Sequence, residues 1–173
     1  AERQGRTFVM GILNVTPDSF SDGGSYNESI EVAVEHALAM VREGADVIDI
    51  GGESTRPDAD EVALQEELQR TVPVIRRLRE ALDALDRGSD SPVLISIDTR
   101  RAKVAAEAVA AGADMINDVS GATFDPEMAA VMARARKPVC LMHMRGVPQT
   151  MQKPENLQYG GGGGGGEAGG SAC

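Results

Sequence analysis

A chain of 173 residues is long enough for one domain with a sizeable core, and 42% hydrophobic against 25% charged residues is an ordinary water-soluble globular balance. The formal net charge of −10, with no basic stripe to offset it, argues against non-specific nucleic-acid binding. It leaves an anionic small substrate open, because a few arginines or a metal ion can reverse the field inside one cleft.

No apolar run approaches the ~20 residues of a membrane helix, and residues 1–6 carry neither a signal core nor an amphipathic presequence. The plain expectation is a cytoplasmic protein. The chain starts at Ala1 rather than Met, which reads as processing or excision from a longer chain. Two cysteines make no disulfide framework. Cys140, inside an apolar run, reads as a small core residue, and Cys173 has no readable role.

In chain order, Phe8–Leu13 has strand character and breaks into a long polar loop, Asn14 to Gly24. Asn27 reads as a helix N-cap, followed by Ile30, Val34, Leu38 and Val41 at helical spacing, and Gly44 closes the helix. Val47–Ile50 is a second strand, ending in the polar loop of residues 51–57. Leu64, Leu68, Val72, Ile75, Leu78, Leu82 and Leu85 then mark a long helix, which Pro73 should kink or split.

A turn spans Arg87–Pro92, and Val93–Ile97 is a third strand that ends at Asp98-Thr99. A helix over about 102–111 closes at Gly112, and Met115-Ile116-Asn117 is a fourth strand. Asp125 and Pro126 read as the cap and first residue of another helix, followed by a fifth strand, Pro138–Met142, ending at His143. Residues 44–49, Gly-Ala-Asp-Val-Ile-Asp, recur at an offset of 68 as 112–117, Gly-Ala-Asp-Met-Ile-Asn. Strands alternating with helices imply right-handed βαβ units and a parallel sheet. The nearly unbroken apolar strands predict cover on both sheet faces. Gly160–Gly166 reads as a flexible linker or tail, giving residues 1–157 as the folded part and 158–173 as a glycine-rich appendage.

In a parallel α/β arrangement the strand tips share one face, which gathers Asn14, Asp49–Arg56, Asp98-Thr99, Asn117-Asp118 and His143. Taken singly, Asp98 or Thr99 could simply cap the next helix, and Asn117 needs a partner that backbone or ligand could supply. His36 reads as a surface residue, and Met142 as packing. Two separated histidines form no zinc cluster, and no serine has a readable triad partner. Arg56, in a loop with Gly-Gly, Ser and Thr, suits a phosphate or carboxylate. Asn14 with Asp18 and Asp22 could hold a hard cation such as Mg²⁺. These residues describe an α/β enzyme acting on a small, phosphorylated, amide-rich substrate.

Five blocks, NVTPDSFSDGG at 14–24, DIGGESTRP at 49–57, SIDT at 96–99, MINDVSG at 115–121 and CLMHMRG at 140–146, together resemble dihydropteroate synthase over residues 8–152. The resemblance implies a (β/α)8 TIM barrel, with about its first five strands and four helices in this chain. It implies condensation of 6-hydroxymethyl-7,8-dihydropterin diphosphate with p-aminobenzoate to 7,8-dihydropteroate and pyrophosphate, a step of folate biosynthesis that sulfonamides inhibit. The implied mechanism is dissociative and Mg²⁺-assisted, through a pterin-methylene cation.

Carried over residue by residue, the resemblance gives Asn14 to the metal and Thr55 and Arg56 to pyrophosphate. Asp98 and Asn117 read the pterin, and Met142 walls its pocket. Phe20 and Pro57 close over p-aminobenzoate, and Asp22 helps order the first loop. A homodimer is implied for the intact protein. The family's later blocks do not follow, so the chain is expected to be part of a longer protein and inactive alone. Two other readings are a pterin-binding domain of a corrinoid-dependent methyltransferase, which the first two blocks oppose, and a non-catalytic pterin-binding fragment.

Overall fold

The computed structural model describes residues 7–15, 26–53, 62–85 and 92–142. Asp18, Phe20 and Asp22 of the first loop lie outside them, as do Thr55, Arg56 and Pro57 of the second. So do the turn at 86–91, His143, the glycine tract and the expected boundary after residue 157.

Strands β1 (Met10–Asn14), β2 (Val47–Gly51), β3 (Leu94–Asp98), β4 (Met115–Asp118) and β5 (Val139–Leu141) alternate with helices α1 (Tyr26–Arg42), α2 (Leu64–Leu85), α3 (Ala102–Ala111) and α4 (Met128–Ala135). The strands pair in parallel in the order β1-β2-β3-β4-β5. Consecutive strands with crossovers of one hand place every helix on the same face of the sheet. The helices accordingly pack in sequence, α1 on α2, α2 on α3 and α3 on α4. This is the winding of a (β/α)8 barrel over its first five strands.

The core is the layer between sheet and helices. Leu13, Ile48, Ile50, Ile95, Ile97 and Ile116 point into it, against Val34 and Ala37 of α1, Val74, Ile75, Leu78 and Leu82 of α2, and Val104, Ala105 and Ala108 of α3. β-branched side chains at every second position suit a strand whose one face is fully buried.

Among the described residues the helices pack on one sheet face. On the other, Asp49 and Ser96 are buried and Ile12 is exposed, so the expected cover on both faces holds for β2 and β3 but not for β1. The strand runs look unbroken because Asp49 and Ser96 are single polar residues set between isoleucines, and Asp98 directly follows one. Period-2 alternation sends them all to the concave side. On that side Ile12 and Cys140 are exposed, and Val139 and Leu141 of edge strand β5 are exposed on the opposite side, so Cys140 is an exposed thiol and not a core residue.

Three boundaries also differ from expectation. Helix α1 starts at Tyr26, so Asn27 lies within it and does not cap it. Helix α2 runs unbroken through Pro73, and the expected split does not occur. Helix α4 starts at Met128, after Asp125-Pro126. Asp125 still works as a cap: its Oδ1 accepts from Glu127 N at 2.9 Å, and its Oδ2 accepts from Ala102 N at 2.8 Å, closing the start of α3.

The internal repeat is a structural device at the strand bases. Gly44 and Gly112 both take left-handed backbone (φ 108° and 117°), which ends each helix at little cost for glycine. Two residues on, Asp46 Oδ2 accepts from Val9 N at 2.9 Å, and Asp114 Oδ2 accepts from Ile95 N at 3.0 Å. Each aspartate thus ties its own strand's base to the base of the strand before it. Arg79 of α2 completes the second copy, bonding Asp114 Oδ2 and the carbonyl of Gly112.

Candidate active site at the strand tips

Strand register places Asn14, Gly51, Asp98, Asn117 and Cys140 side by side in one row across all five tips. Three of the residues expected to act are in this row. One layer deeper lie Ile12, Asp49, Ser96 and Met115. Both rows face the concave side, opposite the helices.

Gly51 matters for what it lacks. A Cβ there would sit 3.5 Å from Asp98 Oδ2 and 3.7 Å from Asn14 Oδ1, taking the room between the two side chains. Without it, a carboxylate oxygen and an amide oxygen flank a shared space. At Gly52 the reason is packing, since a Cβ would come within 2.7 Å of Thr71 Cγ2 on α2.

Asp98 is the electrostatic centre of the site. Burial first, and then the nearby carboxylates of Asp49, Glu67, Asp118 and Glu53, push its carboxyl up from 3.8 to about 7. Its neighbour Thr99 takes the capping duty, with Oγ1 accepting from Arg101 N at 3.1 Å. This leaves Asp98 to face the cavity. Asn117 Nδ2 donates to Asp49 Oδ2 at 2.9 Å, a bond that crosses over β3 and requires the sheet to curve inward. Asp49 Oδ1 and Ser96 Oγ are buried and meet no hydrogen-bond partner among the described residues. Buried polar atoms left in this way mark a surface built to be completed by something else.

The neighbouring Asp118 has a different task, because alternation turns it away from Asn117. It accepts from Ser120 N, Ser120 Oγ and Ala122 N, building the turn after β4. Met142 is half-exposed beyond β5, with its N–H held by the Asp118 carbonyl.

Beneath the tips lies a buried ionic cluster that the sequence reading missed. Glu67 of α2, 1% exposed, accepts from Thr99 Oγ1 at 2.6 Å and pairs with Arg101. Arg101 also donates to the Val62 carbonyl at 2.6 Å, and Arg70 donates to the Gly52 carbonyl at 3.1 Å. Arg100 grips Glu53 through two bonds of 3.1 and 3.0 Å and stacks 3.9 Å over the Phe124 ring. The cluster fixes both ends of the second loop, Glu53 and Val62, to the tip of β3. The available signal was positional, because Glu67 and Thr71 continue the buried stripe of Val74, Leu78 and Leu82 at helical spacing.

Among the described residues, no group of three or more His, Cys, Asp or Glu could hold a metal. The side-chain oxygen of Asn14, beside the space above Gly51, is a single hard donor. That fits Mg²⁺, which keeps several waters and shares its sphere with phosphates instead of needing a protein cage.

The geometry is matched by known proteins. A Synechocystis dihydropteroate synthase is 58% identical over 147 residues, covering 85% of this chain and 47% of that protein. Among solved structures, the Clostridium difficile dihydropteroate synthase determined in the presence of pteroic acid is 48% identical with a TM-score of 0.73, covering 84% of this chain and 51% of that one. The Xanthomonas albilineans dihydropteroate synthase with 4-aminobenzoic acid is 49% identical with a TM-score of 0.72, covering 82% and 48%. The chain thus spans about half the length of each of these relatives. The sequence pattern of the pterin binding enzymes runs through residues 10–161, from the start of β1 past the end of β5, and the chain belongs to that family.

Proposed function

We propose that the intact protein is a dihydropteroate synthase. It would join 6-hydroxymethyl-7,8-dihydropterin diphosphate to p-aminobenzoate and release pyrophosphate. The observation that carries this is the row Asn14–Gly51–Asp98–Asn117, which sets an amide, a gap, a carboxylate and a second amide side by side on a concave face.

Asp98 and Asn117 read the pterin. A pterin edge offers neighbouring N–H donors, and a half-buried carboxylate beside an amide oxygen can accept from both. Unpaired buried groups are costly, so a ring without that pattern is rejected. Donors from the ligand would stabilise the ionised form of Asp98, relieving the crowding of carboxylates around it. Met142 forms a wall of the same pocket.

Asn14, facing the room above Gly51, is proposed as the protein's oxygen ligand to Mg²⁺. When bound, Mg²⁺ would supply positive charge against the leaving pyrophosphate. Thr55 and Arg56 are proposed to hold that pyrophosphate. The buried cluster supports them by anchoring Glu53 and Val62 on either side. Phe20 and Pro57 are proposed to cover p-aminobenzoate, with Asp22 ordering the first loop, so that water is kept from the pterin-methylene cation. A homodimer in the cytoplasm belongs to the same proposal. Among the described residues, no helix is long and apolar enough to cross a membrane.

The test is pyrophosphate release by the intact protein with Mg²⁺ present. Release that requires both substrates, matches dihydropteroate formed, and is competed by a sulfonamide against p-aminobenzoate is expected. Pterin binding without any pyrophosphate release would overturn the synthase reading.

A further inference from the structure

The buried carboxylate of Asp49 has no part in the chemistry above, yet it is 5% exposed, with one oxygen unpartnered among the described residues and the other bonded to Asn117. We propose that Asp49 is a positioning residue: it fixes the amide of Asn117 so that Asn117 Oδ1, and not Nδ2, is presented to the ligand. The inference rests on the pterin reading for the identity of that ligand.

A carboxylate has only lone pairs to offer, whereas a side-chain amide has a donor end and an acceptor end that can exchange by rotation. Facing Asp49, the amide of Asn117 gains a hydrogen bond only with its NH2 inward, and the 2.9 Å contact is from Nδ2. The opposite rotamer would set Asn117 Oδ1 against the lone pairs of a buried carboxylate, which is repulsive. Asn117 is therefore locked as an acceptor toward the cavity, and what it recognises is a ligand N–H. Asp98 in the same row can also accept. Two adjacent acceptors specify a ligand edge with two neighbouring N–H donors, as in an amino group beside a ring N–H.

The pairing has its own origin in the chain. Asp49 and Asn117 are equivalent positions in the internal repeat, 68 residues apart. One copy holds the acceptor, and the other holds the amide that the acceptor orients. A buried Asp in both copies would set two carboxylates against each other, and Asn in both would leave either rotamer equally good.

The test is a set of three variants in the intact protein, with dihydropterin binding measured by fluorescence. Asp49→Ala removes the lock and is expected to weaken binding about tenfold. Asn117→Asp alone should weaken it more, because carboxylate then meets carboxylate. The exchanged pair, Asp49→Asn with Asn117→Asp, restores a donor facing an acceptor and still presents an oxygen to the ligand. It should recover to within about threefold of wild type. An exchanged pair as weak as Asn117→Asp alone, or an Asp49→Ala variant that binds like wild type, overturns the proposal.

Nitrogen-15 NMR of the ligand-free protein reads the lock without pterin. One Asn117 Nδ2 proton should be shifted downfield and protected from exchange, and Asp49→Ala should abolish both effects. Identical Asn117 signals in the two proteins overturn the lock. An intact lock in a wild-type protein that takes up no pterin would instead remove the functional reading and leave the positioning role of Asp49 standing.

Discussion

The two ends of the sheet use the same residue types for opposite purposes. At the base, Asp46 and Asp114 each spend a carboxylate oxygen on the backbone N–H of the preceding strand, and Arg79 adds to the second. At the tips, Asp49, three residues further along the first repeat, keeps a buried oxygen with no partner among the described residues, and Asp98 at the end of β3 holds its proton to about 7. The base is saturated and the tips are not. An unsaturated buried acceptor is destabilising unless a ligand completes it, so the difference separates the part of the sheet that holds the fold from the part that binds.

The tips can be left unsaturated only because something beneath them is rigid. Removing the Arg101 guanidinium would leave Glu67 buried with Thr99 Oγ1 and no cation, and would free the Val62 carbonyl. Arg101→Ala should therefore be the most costly change, about 3–5 kcal/mol of stability, read from denaturant midpoints. A loss under about 1 kcal/mol would show that the cluster is not what holds the tips.

The next effect in size concerns Asp98 itself. Its folded-state proton affinity is raised, so between about pH 4 and 7 the folded protein binds more protons than the unfolded chain. Stability should then fall as pH rises through that window and level off above it, by a few kcal/mol at most. Asp98→Asn should flatten the profile and leave the ligand-free protein more stable than wild type at pH 8. An unchanged slope would mean that the crowding of Asp49, Glu67, Asp118 and Glu53 does not reach Asp98.

Much of this layout was legible in the sequence, for reasons that also explain what was not. Each strand ends in a polar residue followed by a loop, so the shared tip face and the row through Asn14, Asp98 and Asn117 could be anticipated. The five blocks that resemble dihydropteroate synthase fall on those same tips. The polar face of the sheet, which no helix among the described residues covers, was hidden because a single aspartate or serine between isoleucines looks like part of an apolar run. The Glu67–Arg101 cluster was hidden because charges on helices and loops ordinarily face water, and only the position of Glu67 in the buried stripe of α2 marks it. The Asp49–Asn117 bond was out of reach in another way. The repeat revealed that the two positions are equivalent, but whether they meet depends on how far the sheet curves between β2 and β4.

The smallest change in the series is also the control for the central claim, that the tip row is the pterin-reading surface and the base is scaffold. Asp114→Ala removes the bonds to Ile95 N and Arg79 and should cost about 1–3 kcal/mol without touching the ligand. Asp98→Ala should leave the protein folded and weaken dihydropterin binding a hundredfold or more. Measuring dihydropterin affinity for these two variants side by side, under conditions where both are folded, is the most direct test. Binding lost in Asp98→Ala and kept within about threefold in Asp114→Ala is the expected result. Equal affinity in the two variants would contradict the account.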